Sequence, residues 1–289
     1  MNSTRQKYLL ILIFAGLLHS FSLKGYTYLF SHGFGETYRQ AYRYAKTYKW
    51  LGKTYKNQNY ILYTPIKLFN YPDSLWKGLP PKLNKTSLAQ KNEIVTLKNA
   101  YDEIEDENII LFGTSRGASV VLNFAGIHNT DKLKAIVAES PFDNVKSVFN
   151  THWFVNIASR LISKPKIYKF FLWATKHKEE GEHPIDNVMH IRNDLPVMLI
   201  CTESDEIVPC SSTINLYKKL CENGHKHVYL LKFKTGKHGK LLWTENGIKC
   251  RNVVHAFYAK YHLPHNPEFA KKGKNDLEQE CQPTLKELQ

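Results

Sequence analysis

The chain has 289 residues, 43% of them apolar, and carries 40 Lys and Arg against 26 Asp and Glu, a formal charge of +14. That length and apolar share exclude a collagenous or low-complexity chain and suit one substantial hydrophobic core or two small ones. The positive balance suggests attraction to nucleic acid, anionic lipid or acidic substrates, but the basic residues stand singly and in pairs without a zinc-finger or aromatic RNA-binding signature, so nucleic acid is not an expected partner.

At the N-terminus Arg5 and Lys7 precede an apolar run over 8–18, and the small residues Ser20 and Ser22 follow. Charge, apolar stretch and small residues in this order describe a secretory signal peptide over residues 1–22, cleaved after Ser22. The run is shorter than the roughly 20 apolar residues that cross a bilayer. A removed leader is the first expectation and an N-terminal anchor the second; a buried strand or helix of the domain is the plain reading. The first two imply an exported protein, whether periplasmic, secreted or membrane-anchored.

Over residues 23–264 short apolar, β-rich runs alternate with amphipathic segments. Strands are expected at 26–31, 60–63, 108–112, 135–138, 197–201 and 228–233, and helices at 38–50, 87–104, 116–125, 212–221 and 248–261. The pattern is that of an α/β fold with a mostly parallel central sheet flanked by helices. Residues 144–190 interrupt it, because about 45 residues separate two strands that a simple crossover would join with far fewer. This insertion is rich in aromatics (Phe149, Trp153, Phe154, Tyr168, Phe170, Phe171, Trp173), and Pro165 divides it into two helices. It reads as a helical lid over a cleft, with ordinary aromatic packing as the equal alternative. The stretch 177–183, HKEEGEH, offers residue types that can ligate a metal but reads first as a solvated charged loop. From 265 to 289 the chain is polar without periodicity, and a flexible tail is expected.

Five cysteines, Cys201, Cys210, Cys221, Cys250 and Cys281, lie in the last third. Their odd number and the lack of a CxxC argue against a full disulfide framework. One or two bridges are compatible with export, and the spacing does not choose them. Cys221, His225 and His227 are too few for a confident zinc site, and no metal or organic cofactor is expected.

The chemistry concentrates in NIILFGTSRGASVVLNF, where an apolar strand enters Gly113-Thr114-Ser115-Arg116-Gly117 and then a helix. Such a strand-turn-helix strains the serine backbone and exposes its hydroxyl, while the flanking glycines let strand and helix approach. A serine hydroxyl needs a base to become a nucleophile, and the base needs an orienting carboxylate. Asp205 stands just after the strand at 197–201, and His238 just after the strand at 228–233. Both therefore belong at the C-terminal edge of a parallel sheet, beside Ser115. Glu139 and Asp143, one strand earlier, are the alternative carboxylates. Ser31-His32-Gly33-Phe34-Gly35 ends the first strand in a glycine-flanked turn, whose Phe34 backbone N–H, with that of Arg116, could form an oxyanion hole. Read alone, the same glycines describe a plain turn. His32, His152 and His255 read as structural or surface residues.

Together HGFG, GTSRG, the strand leading to SDEIVP and the strand leading to GKHG resemble the α/β-hydrolase superfamily, in its order of nucleophile, acid and histidine, over residues 26–262. The run AIVAESPFDNV followed by an insertion resembles the branch of serine aminopeptidases, monoglyceride lipases and prolyl-oligopeptidase-like domains. The chain reaches its HGFG strand almost at once, so strands that many members place before it are missing or fall in the leader. The resemblance implies Ser115 as nucleophile, His238 as general base and acid, Asp205 as its partner, and the N–H groups of Phe34 and Arg116 as oxyanion donors. The expected function is a serine hydrolase cleaving small acyl esters, with thioesters and small amides as further substrates. Peripheral contact with an anionic membrane is a further expectation. The aromatic insertion points to an apolar acyl group. The alternative is a noncatalytic hydrolase-fold protein that binds a lipid or protein in the same cleft.

Overall fold

The computed structural model describes residues 25–49, 65–74, 82–151 and 153–288. The expected leader, the strand expected at 60–63, Trp50 and His152 lie outside these residues. Among the described residues, no helix is long and apolar enough to cross a membrane.

Among the described residues, six parallel strands form one sheet: β1 Tyr26–Ser31, β2 Ile66–Lys67, β3 Asn108–Thr114, β4 Leu133–Glu139, β5 Val197–Thr202 and β6 Val228–Phe233, in the order β2-β1-β3-β4-β5-β6. The central strands are buried on both faces, so they read as continuous apolar runs in sequence. Their alternate residues serve two cores. Leu29, Ile109, Leu111, Ile136, Val197 and Leu199 face one layer of helices. Tyr28, Phe30, Ile110, Phe112, Val137 and Met198 face the other.

The helices between the strands are α1 Arg39–Tyr48, α2 Lys91–Asp102 and α3 Arg116–Ile127. The insertion supplies α4 Val145–Thr151, α5 Trp153–Ala158, α6 Lys164–Ala174 and the short α7 Pro184–Asn187. Then come α8 Cys210–Glu222, α9 Gly247–Lys260 and α10 Pro267–Glu280. α1 packs in the core with α9 through Ala41, Tyr44 and Tyr48, whereas α3 packs on the opposite face through Val120, Val121 and Phe124. β1 and β3 are neighbours whose following helices leave to opposite faces. Such a switch point opens a crevice at the carboxyl ends of the strands.

Two expectations need correction. Over its described residues, 265–288, the C-terminal segment is not a flexible tail. Asn266 caps α10, its side chain accepting from the N–H groups of Glu268 and Phe269, and Pro267 pre-sets the first turn. Ala270, Gly273 and Leu277 bury one face of the helix. A Cβ at Gly273 would collide with the Asn252 carbonyl of α9, so the two helices meet backbone to backbone. Beyond the helix, Cys281 is fully buried and its carbonyl accepts from Leu230 N–H of β6 at 2.8 Å. The apolar periodicity of this segment is carried by small residues, which composition alone reads as polar.

The charged stretch 177–183 is likewise not simply solvated. His177 is buried, its ring Nδ1 donating to the Ser87 carbonyl at 3.0 Å, and Lys178 is tied through both its backbone N–H and its C=O to the Gln90 side chain. Within the insertion the aromatics divide. Phe149 is buried with Tyr168 and Phe171 at ring separations of 4.8 and 5.7 Å, whereas Phe170 and Trp173 face solvent. The break between α5 and α6 spans 159–163, and α6 starts at Lys164 with Pro165 in its first turn.

Candidate active site

β3 delivers Ser115 at the switch point. Its φ of 53° and ψ of −123° lie where a non-glycine residue is strained, between the strand and α3. The two flanking glycines are forced by contact. A Cβ on Gly113 would collide with the Gly117 carbonyl, and one on Gly117 with the backbone of Ser31 in β1. Ser115 N–H donates to the Glu139 carbonyl at 2.8 Å, which ties the turn to the end of β4.

The loops after β5 and β6 complete a hydrogen-bonded chain. Ser115 Oγ donates to His238 Nε2 at 2.8 Å, and His238 Nδ1–H donates to Asp205 Oδ2 at 2.8 Å. Asp205 is itself held fast. Its Oδ1 accepts from the N–H groups of Ile207 and Val208, both at 2.9 Å, and Ser140 Oγ donates to its Oδ2 at 3.0 Å. Burial pushes this carboxyl upward, but its bond to His238, the imidazole charge and the two backbone N–H groups together leave it below its ordinary value. Asp205 is therefore an anion at neutral pH, suited to orient an imidazole and to stabilise its protonated form. A disulfide, Cys201–Cys210, closes the loop that carries it.

The alternative carboxylates turn elsewhere. Glu139 accepts from Tyr44 Oη at 2.9 Å, and burial raises it to about 7 despite that bond. Asp143 accepts from Ser147, Ser212 and Asn215.

At the proposed oxyanion turn, the backbone N–H groups of Phe34 and Arg116 have no intramolecular acceptor among the described residues. Gln40 joins this turn to β3, its Oε1 accepting from Gly33 N–H at 2.9 Å and from Thr114 Oγ1 at 3.0 Å. The Arg116 side chain, only 1% exposed, braces it from beneath. Its Nη1 reaches both oxygens of Asp73 at 2.7 Å and lies 3.7 Å from Glu93, its Nη2 donates to the Gly33 carbonyl at 3.3 Å, and its guanidinium stacks over Tyr71. His32 Nδ1–H donates to the same carbonyl, while its Nε2 accepts from Tyr71 N–H and Ser74. Burial first, and then the Arg116 charge, lower His32 to about 3, so it is a neutral strut.

Sequence reasoning missed Ser140, Gln40, Asp73 and Glu93. The first lay within the quoted run AIVAESPFDNV; the other three stand in segments without a motif. An open cleft of about 610 Å³ flanks His238, lined in part by Glu206, Lys237, Lys240 and Glu245. Among the described residues, the aromatics of 144–190 do not contribute to that lining.

This arrangement can activate a hydroxyl for attack on an acyl carbon and hold the proton for a leaving group. Known proteins agree on the architecture. A Pyrococcus horikoshii acylaminoacyl peptidase is 17% identical with a TM-score of 0.54, over 82% of this chain and 37% of its own. A Paleococcus ferrophilus monoacylglycerol lipase is 18% identical with a TM-score of 0.54, over 81% of this chain and 94% of its own. A Pyrococcus furiosus esterase is 15% identical with a TM-score of 0.57, over 83% of each chain. The chain thus spans little more than a third of the peptidase's length but most of the two smaller enzymes. No curated protein matches it in sequence. The model of the prolyl oligopeptidase family matches residues 94–262, more than half of the chain, and the protein accordingly belongs to that family within the α/β-hydrolase superfamily.

Proposed function

We propose that the protein is a serine hydrolase that cleaves carboxylic esters in preference to peptides through an acyl-serine intermediate. The observation that carries this reading is the unbroken hydrogen-bonded chain Ser115–His238–Asp205 with Ser115 at a positive φ. In the proposed cycle His238 Nε2 takes the Ser115 proton as Oγ attacks the acyl carbon. The oxyanion is met by the N–H groups of Phe34 and Arg116, and the imidazolium is stabilised by Asp205. His238 then gives the proton to the departing alcohol, the bond to the leaving group breaks, and water, deprotonated by the same imidazole, releases the acid. The charged lining beside His238 favours a polar leaving group, because this is where the departing atom takes its proton. The amide reading rests on the family and on the acylaminoacyl peptidase among its structural relatives.

Export is part of the same proposal, supported by the N-terminal order of charge, apolar run and small residues and by the Cys201–Cys210 bond, since disulfides persist in oxidising compartments.

A fluorophosphonate probe tests the nucleophile. The folded protein should be labelled, and Ser115→Ala should abolish labelling with the fold intact; an unlabelled wild type overturns the mechanism. p-Nitrophenyl esters of graded length, run beside aminoacyl amides, decide between ester and amide. Faster turnover of the amides overturns the ester preference.

A further inference from the structure

The insertion presents an outward face that the proposed chemistry does not use. In α6, residues at helical spacing separate cleanly. Tyr168 and Phe171 turn inward onto Phe149, while Lys166, Lys169, Phe170 and Trp173 fall within one arc of about 100° on the other side. Phe170 is 63% exposed and Trp173 79%, their rings 5.6 Å apart, flanked by two exposed lysines. The end of α5 adds Ile157, and the turn after it Leu161 and Ile162, of which Leu161 is 91% exposed. Soluble surfaces seldom leave so many large apolar side chains side by side without a partner.

Charge indicates which partner. From Asn144 to Lys176 the sequence carries six basic residues and no acidic one. Arg160, Lys164, Lys166, Lys169 and Lys176 are all exposed. A segment of one sign, with aromatic and aliphatic side chains between lysines whose stems can lie along apolar surface, matches the boundary of an anionic bilayer. There Trp and Phe enter the headgroup region and Lys and Arg meet the phosphates. The helices are too short and too charged to cross it, so the contact lies in the interfacial plane.

We infer that α5, α6 and the turn between them form a docking surface for an anionic lipid bilayer. The occupant is the lipid surface itself, and the contact is independent of turnover. Each lysine near such a surface contributes roughly fivefold in partitioning, weakened by salt within a Debye length.

Co-sedimentation of the full chain carrying Ser115→Ala, which prevents hydrolysis of the vesicles, tests the surface apart from the proposed activity. Phosphatidylcholine vesicles containing phosphatidylserine should retain the protein at low salt, and pure phosphatidylcholine vesicles should retain much less. Lys166→Glu with Lys169→Glu should weaken the anionic-vesicle binding by at least about tenfold. Phe170→Ser with Trp173→Ser should weaken it to a similar extent and leave a residue of binding that salt removes. All four positions are exposed, so circular dichroism should report an unchanged fold. Equal binding to both vesicle types, or binding indifferent to both double variants, overturns the inference. So does a dimer that either double variant dissociates, if it forms without any vesicle binding.

Discussion

Glu139 sets a measurable penalty on folding that grows with pH. It sits at the end of β4, its carbonyl holding Ser115 N–H, and its side chain is sealed in the core at 1% exposure. Tyr44 satisfies one carboxyl oxygen, while Oε1 has no hydrogen-bond partner among the described residues. Burial therefore raises the group from 4.5 to about 7. In the unfolded chain it ionises near its ordinary value, so between 4.5 and about 7 the folded state binds the extra proton. Stability from this group is full below 4.5 and is lost as pH rises through that window, after which the loss stays constant. At about 1.4 kcal/mol per pH unit the gap amounts to about 3 kcal/mol. Glu139→Gln keeps the shape and an acceptor for Tyr44 but cannot ionise. Urea denaturation of both proteins from about pH 4 to about pH 8 isolates the group, because other titrations cancel in the difference. The stability of the variant relative to wild type should climb by about 3 kcal/mol over that range. A difference that stays flat over that range would refute a raised, buried carboxyl at this position.

Two further outcomes are expected. Asp73→Asn leaves the buried Arg116 guanidinium with the more distant Glu93 as its one counter-charge among the described residues, and should cost about 3 kcal/mol by thermal unfolding. In the ester assay it should lower kcat more than it raises KM, since the Gly33–Phe34 turn is braced by the same side chain; an unchanged kcat would show that the brace does not reach the reacting atoms. Gly273→Val drives a side chain into the Asn252 carbonyl and should destabilise the fold by roughly 1–3 kcal/mol, and a neutral result would mean that α10 does not dock closely on α9.

The strands around the site were legible because a buried parallel strand is an apolar run with turn residues at its end, and 26–31 and 228–233 match β1 and β6 residue for residue. Ser115, Asp205 and His238 were legible for the same reason: each follows such a strand, and a parallel sheet brings all those ends to one edge. What lay hidden depends on contacts distant in sequence. Arg116 meets Asp73 across 43 residues, and nothing local marks Asp73 as its counter-charge. Ser140 lay inside a run quoted only for its resemblance, yet it takes a positive φ to reach Asp205. α10 escaped because two of the three residues on its buried face, Ala270 and Gly273, are small, and close approach of backbones leaves little hydrophobic trace. The aromatics of 144–190 could not be sorted into inward and outward by composition, only by the phase of α6.

The hydrogen-bonded chain at the sheet edge also acts as a gauge of register. Its members come from the ends of β3, β5 and β6, with Ser140 added from the end of β4, and Ser115 and His238 are 123 residues apart. A slip of one residue in any of these strands moves its end by about 3.3 Å and turns alternate side chains to the wrong face. Two bonds of 2.8 Å do not survive such a displacement. On the proposed mechanism, labelling of Ser115 would therefore report that four strands have found their neighbours in order, and during refolding it should emerge only once β3, β4, β5 and β6 have all locked into place.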